Sequence, residues 1–359
     1  MAFSDDFVDK LCCRLKQLGA PKVLLFAVLL LVWTDVSSMS LQDTTKLGFV
    51  EMFAGQAEAT RMFRYANIPA ARLDLEYMKD NHDGENPMDL LTDSGMATAL
   101  GVILRGDYQQ GWLSHFGLKC SSWTTINQAT SSRSPCSSIG NTDFKSVRDA
   151  NCLGSRTILL MMVAICLNAC ILLEQPAQSF FEYYPRFRDL VQMLQHHGGR
   201  GAVHKVCWHM YHYGGPTPKP LYAFCNSHHV GKLNMGKLTG WTQTKKVLKD
   251  QGKAKDLVIK YKDSTGKQRF KGSTHLRGSE CYPPKFGLKL VELFHDLIAD
   301  KAGMPELPSK VPTALETFTS MEFDDTWPEA QMVSVCHFLR GGARLSIPRS
   351  FWNHLPQKL

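Results

Sequence analysis

Asp74, Glu76, Cys120 and Glu174 each fall where a short apolar run gives way to polar sequence, and each can do chemistry at such a position. An acid closing a second strand can accept hydrogen bonds from ribose hydroxyls, and Asp74 and Glu76 stand about twenty residues beyond Gly55. Gly55 closes the run Val50-Glu51-Met52-Phe53-Ala54-Gly55. A glycine there lets the backbone approach a ligand at a helix N-terminus, where free N–H groups and the helix dipole favour negative charge. A plain β-α-β crossover would use the same residues. Glu174 ends the apolar run Cys170 to Leu173 and should face the crevice where such sheets hold ligands, unless it serves as a cap or a salt-bridge partner. Cys120 is either a nucleophile or a buried thiol at a strand end.

The elements that position these residues follow from periodicity. Leu47 to Phe53 reads as a strand, Gln56 to Asn67 as a helix with Ala59, Met62, Phe63 and Ala66 inward, and Ile68 to Glu76 as the next strand. Ser94 to Leu104 is a helix, Trp112 to Lys119 a strand, and Ser121 to Ala150 a long Ser/Thr-rich loop that carries Arg133 and Arg148. Loops of that length are commonly functional lids or lack fixed structure. Cys152 to Ala169 is a helix, Cys170 to Leu173 a buried strand, and Phe187 to His197 a further helix. Val203 to Tyr211 and Leu221 to Cys225 form two strands around Tyr213-Gly214-Gly215-Pro216. Leu288 to Ala299 is an amphipathic helix, and Pro-rich sequence from Ala302 suggests an extended tail. This alternation predicts an α/β fold with a mostly parallel sheet.

Composition sets outer bounds. The 359 residues are 44% hydrophobic and 21% charged, which suits a globular chain and argues against disorder. Eleven cysteines without a Cys-x-x-Cys pair suggest reduced thiols and a nuclear or cytoplasmic setting. The apolar run at residues 23–33, with Lys10, Arg14, Lys16 and Lys22 before it, points the other way, toward a secretory-route leader or membrane attachment. A helix buried against the domain is the alternative. Residues 232–271 hold eleven Lys and one Arg against Asp250, Asp256 and Asp263, or 12 − 3 = +9, while the whole chain carries +8. Such an insert can meet phosphates or be a solvated loop. His204, Cys207, His209, His212, Cys225, His228 and His229 match no closed zinc-site spacing, so no metal is expected and a hairpin with exposed histidines is. The divisions are then 1–45 as leader or anchor, 46–231 as the α/β domain, 232–280 as the basic insert and 281–359 as a helix and tail on the core.

Glu51-Met52-Phe53-Ala54-Gly55 resembles the first motif of the cytosine-5 DNA methyltransferases, within the S-adenosylmethionine-dependent methyltransferases. Lys119-Cys120-Ser121-Ser122-Trp123-Thr124 is similar to that family's nucleophile segment, and Leu172-Leu173-Glu174-Gln175-Pro176 to its Glu-Asn-Val segment. Tyr213-Gly214-Gly215-Pro216-Thr217-Pro218-Lys219-Pro220-Leu221 resembles a later one. The resemblance spans roughly residues 47 to 226 in the family's order, and extends to methyltransferase-like proteins of dinoflagellates. The chain departs from the pattern at Lys119, where the family has proline, and at Gln175 and Pro176. The Gln-x-Arg motif has no clear counterpart.

The resemblance implies a doubly wound sheet of the class I methyltransferase (Rossmann-like) type with a C-terminal hairpin strand pair. It implies S-adenosylmethionine as cofactor, cradled by Phe53, Ala54 and Gly55, with Asp74 or Glu76 on the ribose. Cys120 becomes the nucleophile that adds to cytosine C6, Glu174 holds N3, and the base is rotated out of its duplex. Lys119 beside Cys120 would lower the thiol pKa. The loop after Cys120 would close as a lid. Arg133, Lys245, Lys246 and Lys249 are the expected nucleic-acid contacts, most simply with DNA. Two alternatives stand beside a methyltransferase: a catalytically degenerate member of the same fold that binds nucleic acid or protein, and a membrane-attached or organellar protein with another substrate.

Overall fold

The computed structural model describes residues 3–33, 45–78, 86–215, 217–238, 246, 258–266, 268–272, 281–323 and 326–342. Six strands form one mixed, mostly parallel sheet: β1 (Phe49–Met52), β2 (Ala70–Leu73), β3 (Trp112–Phe116), β4 (Ala169–Pro176), β5 (His204–His209) and β6 (Pro220–Cys225). Their spatial order is β2-β1-β3-β4-β6-β5. The first four run parallel, while β6 lies antiparallel between β4 and β5. The expected C-terminal hairpin is therefore β5–β6, with its second strand inserted against β4. β7 (Val258–Lys262) and β8 (Gln268–Gly272) form a separate hairpin within the basic insert.

β1 and β3 are buried at every position, as expected of parallel strands covered on both faces. Alternate side chains serve two cores. Val50, Met52, Trp112, Phe116, Ile171 and Leu173 enter one, Phe49, Leu113, Cys170 and Leu172 the other. The second face is covered by α3 (Glu58–Tyr65) and by α8 (Pro284–Ala299), the amphipathic helix read from the sequence. Gly287 permits their close approach, because a Cβ there would meet Met62 Cγ at 2.8 Å and Ala59 Cα at 3.0 Å.

The first face carries α4 (Asp93–Ile103), α6 (Lys145–Cys166) and α7 (Pro185–Gly198), and outside them a layer that joins the two ends of the described chain. α1 (Asp5–Gln17) packs on α9 (Ala314–Thr319), and α2 (Lys22–Trp33) on α10 (Met332–Gly342). The apolar run expected to be a leader or membrane anchor is α2, and residues 23–32 are each less than 10% exposed inside this layer. Besides α1 and α4, its partners are helices some three hundred residues away in sequence, which matches the buried-helix alternative. Lys22 at its start donates to the Met321 carbonyl at 2.8 Å and lies over the Phe318 ring. α6 has the length and apolarity to cross a bilayer, yet 89% of its apolar window is buried in the fold. The tail expected after residue 302 contributes α9 and α10 to the core.

Truncating α2 tests this packing. Leu25→Ala removes a side chain with no exposure and should lower unfolding free energy in urea by roughly 2–5 kcal/mol with an unchanged m-value. A loss below about 0.5 kcal/mol would mean that the helix does not belong to the core.

Candidate functional site

The chain leaves β1 for one side of the sheet, to β2, and later enters β3 on the other side. That reversal creates a crevice beyond the carboxyl ends of β1 and β3, the usual ligand position in open α/β sheets. The turn after β1 borders it. Phe53, Gly55 and Ala57 all have left-handed backbone, with φ of 60°, 52° and 55°. Among the described residues nothing lies within 4 Å of where a Gly55 Cβ would stand, so they leave the space beside this turn open. The Ala54 amide donates to the Leu73 carbonyl at 3.1 Å, which couples the turn to β2.

Asp74 sits where the sequence put it, just past β2, and its carboxylate shapes the turn. Oδ2 accepts from the Gly55 amide at 2.8 Å and Oδ1 from the Glu76 amide at 2.9 Å. A carboxylate offers about four acceptor positions, so Asp74 keeps capacity for a ligand. Glu76 is exposed in the following 3-10 turn. Gly55, Asp74 and Glu76 thus form one local unit, with Phe53 and Ala54 in the same turn.

A second set of polar groups lies below, on the face covered by α3 and α8. Glu51 and His115 are paired in register on β1 and β3, and Glu174 is two residues beyond Leu172, the β4 partner of His115. All three have been taken from water, with exposures of 0%, 0% and 8%. Glu51 Oε2 accepts from the Thr60 amide at 2.8 Å and the Thr60 hydroxyl at 2.5 Å, so the carboxyl caps α3, whose own N-cap residue, Ala57, has no side chain to do so. Burial pushes the Glu51 carboxyl up to about 7 despite these donors. Burial also lowers His115 to about 3 and keeps its ring neutral. Glu51 Oε1, Glu174 Oε1 and both His115 nitrogens have no hydrogen-bond partner among the described residues.

Tyr282, at the entrance to α8, joins the two sets. Its hydroxyl donates to Glu174 Oε2 at 2.7 Å, and its ring lies 5.3 Å from that of His115. Burial raises the Glu174 pKa, while the charge of Lys219 and the Tyr282 hydrogen bond draw it down. The Tyr282 phenol is raised well above its ordinary range by burial and then by Glu174, with Glu51 and Cys120 acting in the same sense. A Cβ on Gly117 would stand 2.8 Å from the Tyr282 hydroxyl and 3.4 Å from the Phe53 carbonyl. The β1 turn and the β3 exit therefore meet beside the phenol that is bonded to Glu174, and Cys120 follows Gly117 by three residues. Cys120 is half-buried and Lys119 exposed.

Gln175 has a structural job. Gln175 donates to the Leu118 carbonyl at 2.8 Å and accepts from Ser179 at 2.9 Å, tying the Cys120 approach to the end of β4. The Phe180 amide donates to the Trp123 carbonyl at 2.8 Å, adding a second tie. Arg133, expected as a nucleic-acid contact, is instead fully buried. Its guanidinium donates to Ser122, to the Ser138 and Ile139 carbonyls and to the Val147 carbonyl, and stacks 3.5 Å over the Trp123 ring. The loop expected to be an open lid is thus folded around Arg133, with α5 (Gln128–Ser131) inside it and α6 beginning at Lys145. Lys246 is exposed, and Lys245 and Lys249 lie outside the described residues.

Sequence reasoning gave no role to Glu51, His115 or Tyr282. A polar pair, Ser114-His115, interrupting an otherwise apolar strand was the available signal for His115. Tyr282 lies over a hundred residues from its partner Glu174, so no local pattern marks it. No family profile, curated protein or solved structure matches the chain.

The raised Glu51 pKa has a definite sign in stability. A carboxyl near 7 when folded and 4.5 when unfolded contributes stability that is complete below pH 4.5 and lost as pH rises through 7. Glu51→Gln keeps an oxygen for Thr60 and removes the ionisation. Its unfolding free energy relative to the unsubstituted chain should improve by up to about 3 kcal/mol between pH 5 and 8 in urea titrations. A pH-independent difference would show that Glu51 ionises normally.

Proposed function

We propose that the chain is an S-adenosylmethionine-dependent methyltransferase-like protein that methylates cytosine C5 in DNA from the β1–β3 crevice. The observation that carries this proposal is the Tyr282 hydroxyl bonded to Glu174 beside Gly117, where a Cβ would also meet the Phe53 carbonyl of the β1 turn, at a topological switch point that Cys120 follows three residues later. A mostly parallel sheet closed by the β5–β6 hairpin is also the form that the sequence resemblance implies. The open space at Gly55 and the remaining acceptor positions of Asp74 fit a nucleoside-bearing cofactor, with Phe53 and Ala54 in the cradle and Glu76 at its rim.

S-adenosylmethionine, when bound, supplies an electrophilic methyl group. The protein's part is to make C5 nucleophilic. The Cys120 sulfur adds to C6 and the ring electrons shift toward C5 and N3, where Glu174 holds the base. C5 would then take the methyl group and give up its proton to solvent water, and cleavage of the C6–S bond would release the Cys120 sulfur and restore the aromatic ring. Burial of Glu174 favours its protonated form, which can donate to N3. Gln175 and Arg133 act on the reaction only by positioning, one through Leu118 and the other through Ser122 and Trp123. Exposed Lys246 and the basic β7–β8 hairpin are the surfaces suited to a phosphate backbone.

One contact favours a second possibility, a degenerate member that binds without catalysis. Tyr282 already occupies Glu174 Oε2, which leaves only Oε1 for a base and makes the carboxyl equally explicable as a structural partner of the phenol.

Calorimetry and trapping separate these outcomes. S-adenosylmethionine should bind the full chain, and Gly55→Val, which forces a branched side chain into left-handed backbone, should weaken binding at least about tenfold. An oligonucleotide with 5-fluorocytosine should form a covalent adduct that Cys120→Ala abolishes, since C5 then carries no removable proton. Binding without an adduct would select the degenerate form. A flat titration would discard the cofactor assignment.

A further inference from the structure

Away from the crevice, the structure gathers two imidazoles and a carboxylate from elements that the sequence separates by about seventy residues. His228 and His229 open the 3-10 turn His228–Leu233 after β6, and Asp300 is the C-cap of α8. Their ligand atoms all lie within 4.8 Å of one another. His228 Nδ1 contacts Asp300 Oδ2 directly, and the two histidine rings have centroids 4.0 Å apart.

The backbone beneath them is cross-tied. Ser227 and Lys301 form an isolated antiparallel bridge, the Ala302 amide donates to the Asn226 carbonyl at 2.8 Å, and the Asn226 side chain donates to the Ala302 carbonyl at 3.1 Å. The three side chains therefore project from segments already fixed to each other, which lowers the ordering cost of bringing them onto one ion. Position adds to the preference for a cation. The carboxyl end of a 16-residue helix carries the negative end of its dipole, and Asp300 stands on it. Asp296, paired with Lys232 at 2.6 Å, and the His204 ring, 6.2 Å from that of His228, complete the surroundings.

We propose that His228, His229 and Asp300 bind one borderline divalent transition cation, with Zn2+ the best match and solvent as the fourth ligand. Two imidazoles with one carboxylate suit zinc chemistry. Around a tetrahedral ion with bonds of about 2.0–2.2 Å the direct His228–Asp300 contact must open and the wider separations of the cluster must close, and half-exposed side chains reach that geometry by rotamer adjustments. The ion would clip the β6 exit to the end of α8. It is independent of the methyltransferase assignment and would persist if that assignment failed.

The test is calorimetry of the chelator-treated full chain with ZnSO4, paired with Co2+ absorption spectroscopy. One Zn2+ per chain should bind and raise the melting temperature, and His229→Gln and Asp300→Asn should each weaken binding at least about tenfold while keeping the metal-free melting temperature. A double substitution of His196 and His197, an adjacent pair elsewhere with ring centroids 4.9 Å apart, should leave binding intact. Absence of binding, binding by either site variant as tight as that of the unsubstituted chain, or a thiolate charge-transfer band with Co2+ would overturn the proposal.

Discussion

The hydrogen bonds between Glu51 and Thr60 organise the region on which the crevice depends. A carboxyl group placed inside an apolar sheet loses its hydration, and the loss is tolerable only where strong donors or protonation compensate. Here Thr60 supplies two donors from the first turn of α3, and the raised pKa keeps much of the group uncharged near neutrality. That contact fixes where α3 starts, and so fixes the left-handed turn from Phe53 to Ala57 between strand and helix. Asp74 holds the same turn from the β2 side. Two carboxylates, one buried and one at the rim, thereby determine the shape of the space beside Gly55.

His115 and Glu174 continue the polar line across β3 and β4, and Tyr282 covers it. Partnerless buried polar atoms cost about 1–3 kcal/mol each. Retaining four of them along one line of a packed sheet is unusual for purely structural residues and common where a ligand supplies the missing partners. Glu51 and His115 also respond oppositely to acid. Protonating Glu51 stabilises the fold, whereas forcing a proton onto His115, as pH falls from 6.5 toward 3, destabilises it. The line is therefore most comfortable with both groups uncharged.

Local pattern revealed the elements that local physics determines. The β1 turn, the Asp74 position, the buried centre of β4 around 170–173, the hairpin and most of the helix at 284–299 were readable, because strand and helix periodicities act over a few residues. Long-range partnership was not readable. Residues 23–33 carry the composition of a leader, and in the structure they are covered by α1 and α4 as well as by α10 and α9 near the other end of the chain. Arg133 looked like an available cation in a polar loop, but the carbonyls that surround it are set by the fold of that loop. Tyr282 and Glu174 meet through tertiary packing alone.

The central claim is that the Gly55 turn and the Cys120 segment border one ligand space. Hydrogen–deuterium exchange of the full chain, with and without S-adenosylmethionine, tests it most directly. Added cofactor should slow exchange of amides within residues 53–57 and 74–76, and an oligonucleotide with cytosine should extend protection to 117–123. Protection confined to other segments, such as 226–233, or unchanged exchange throughout, would contradict it.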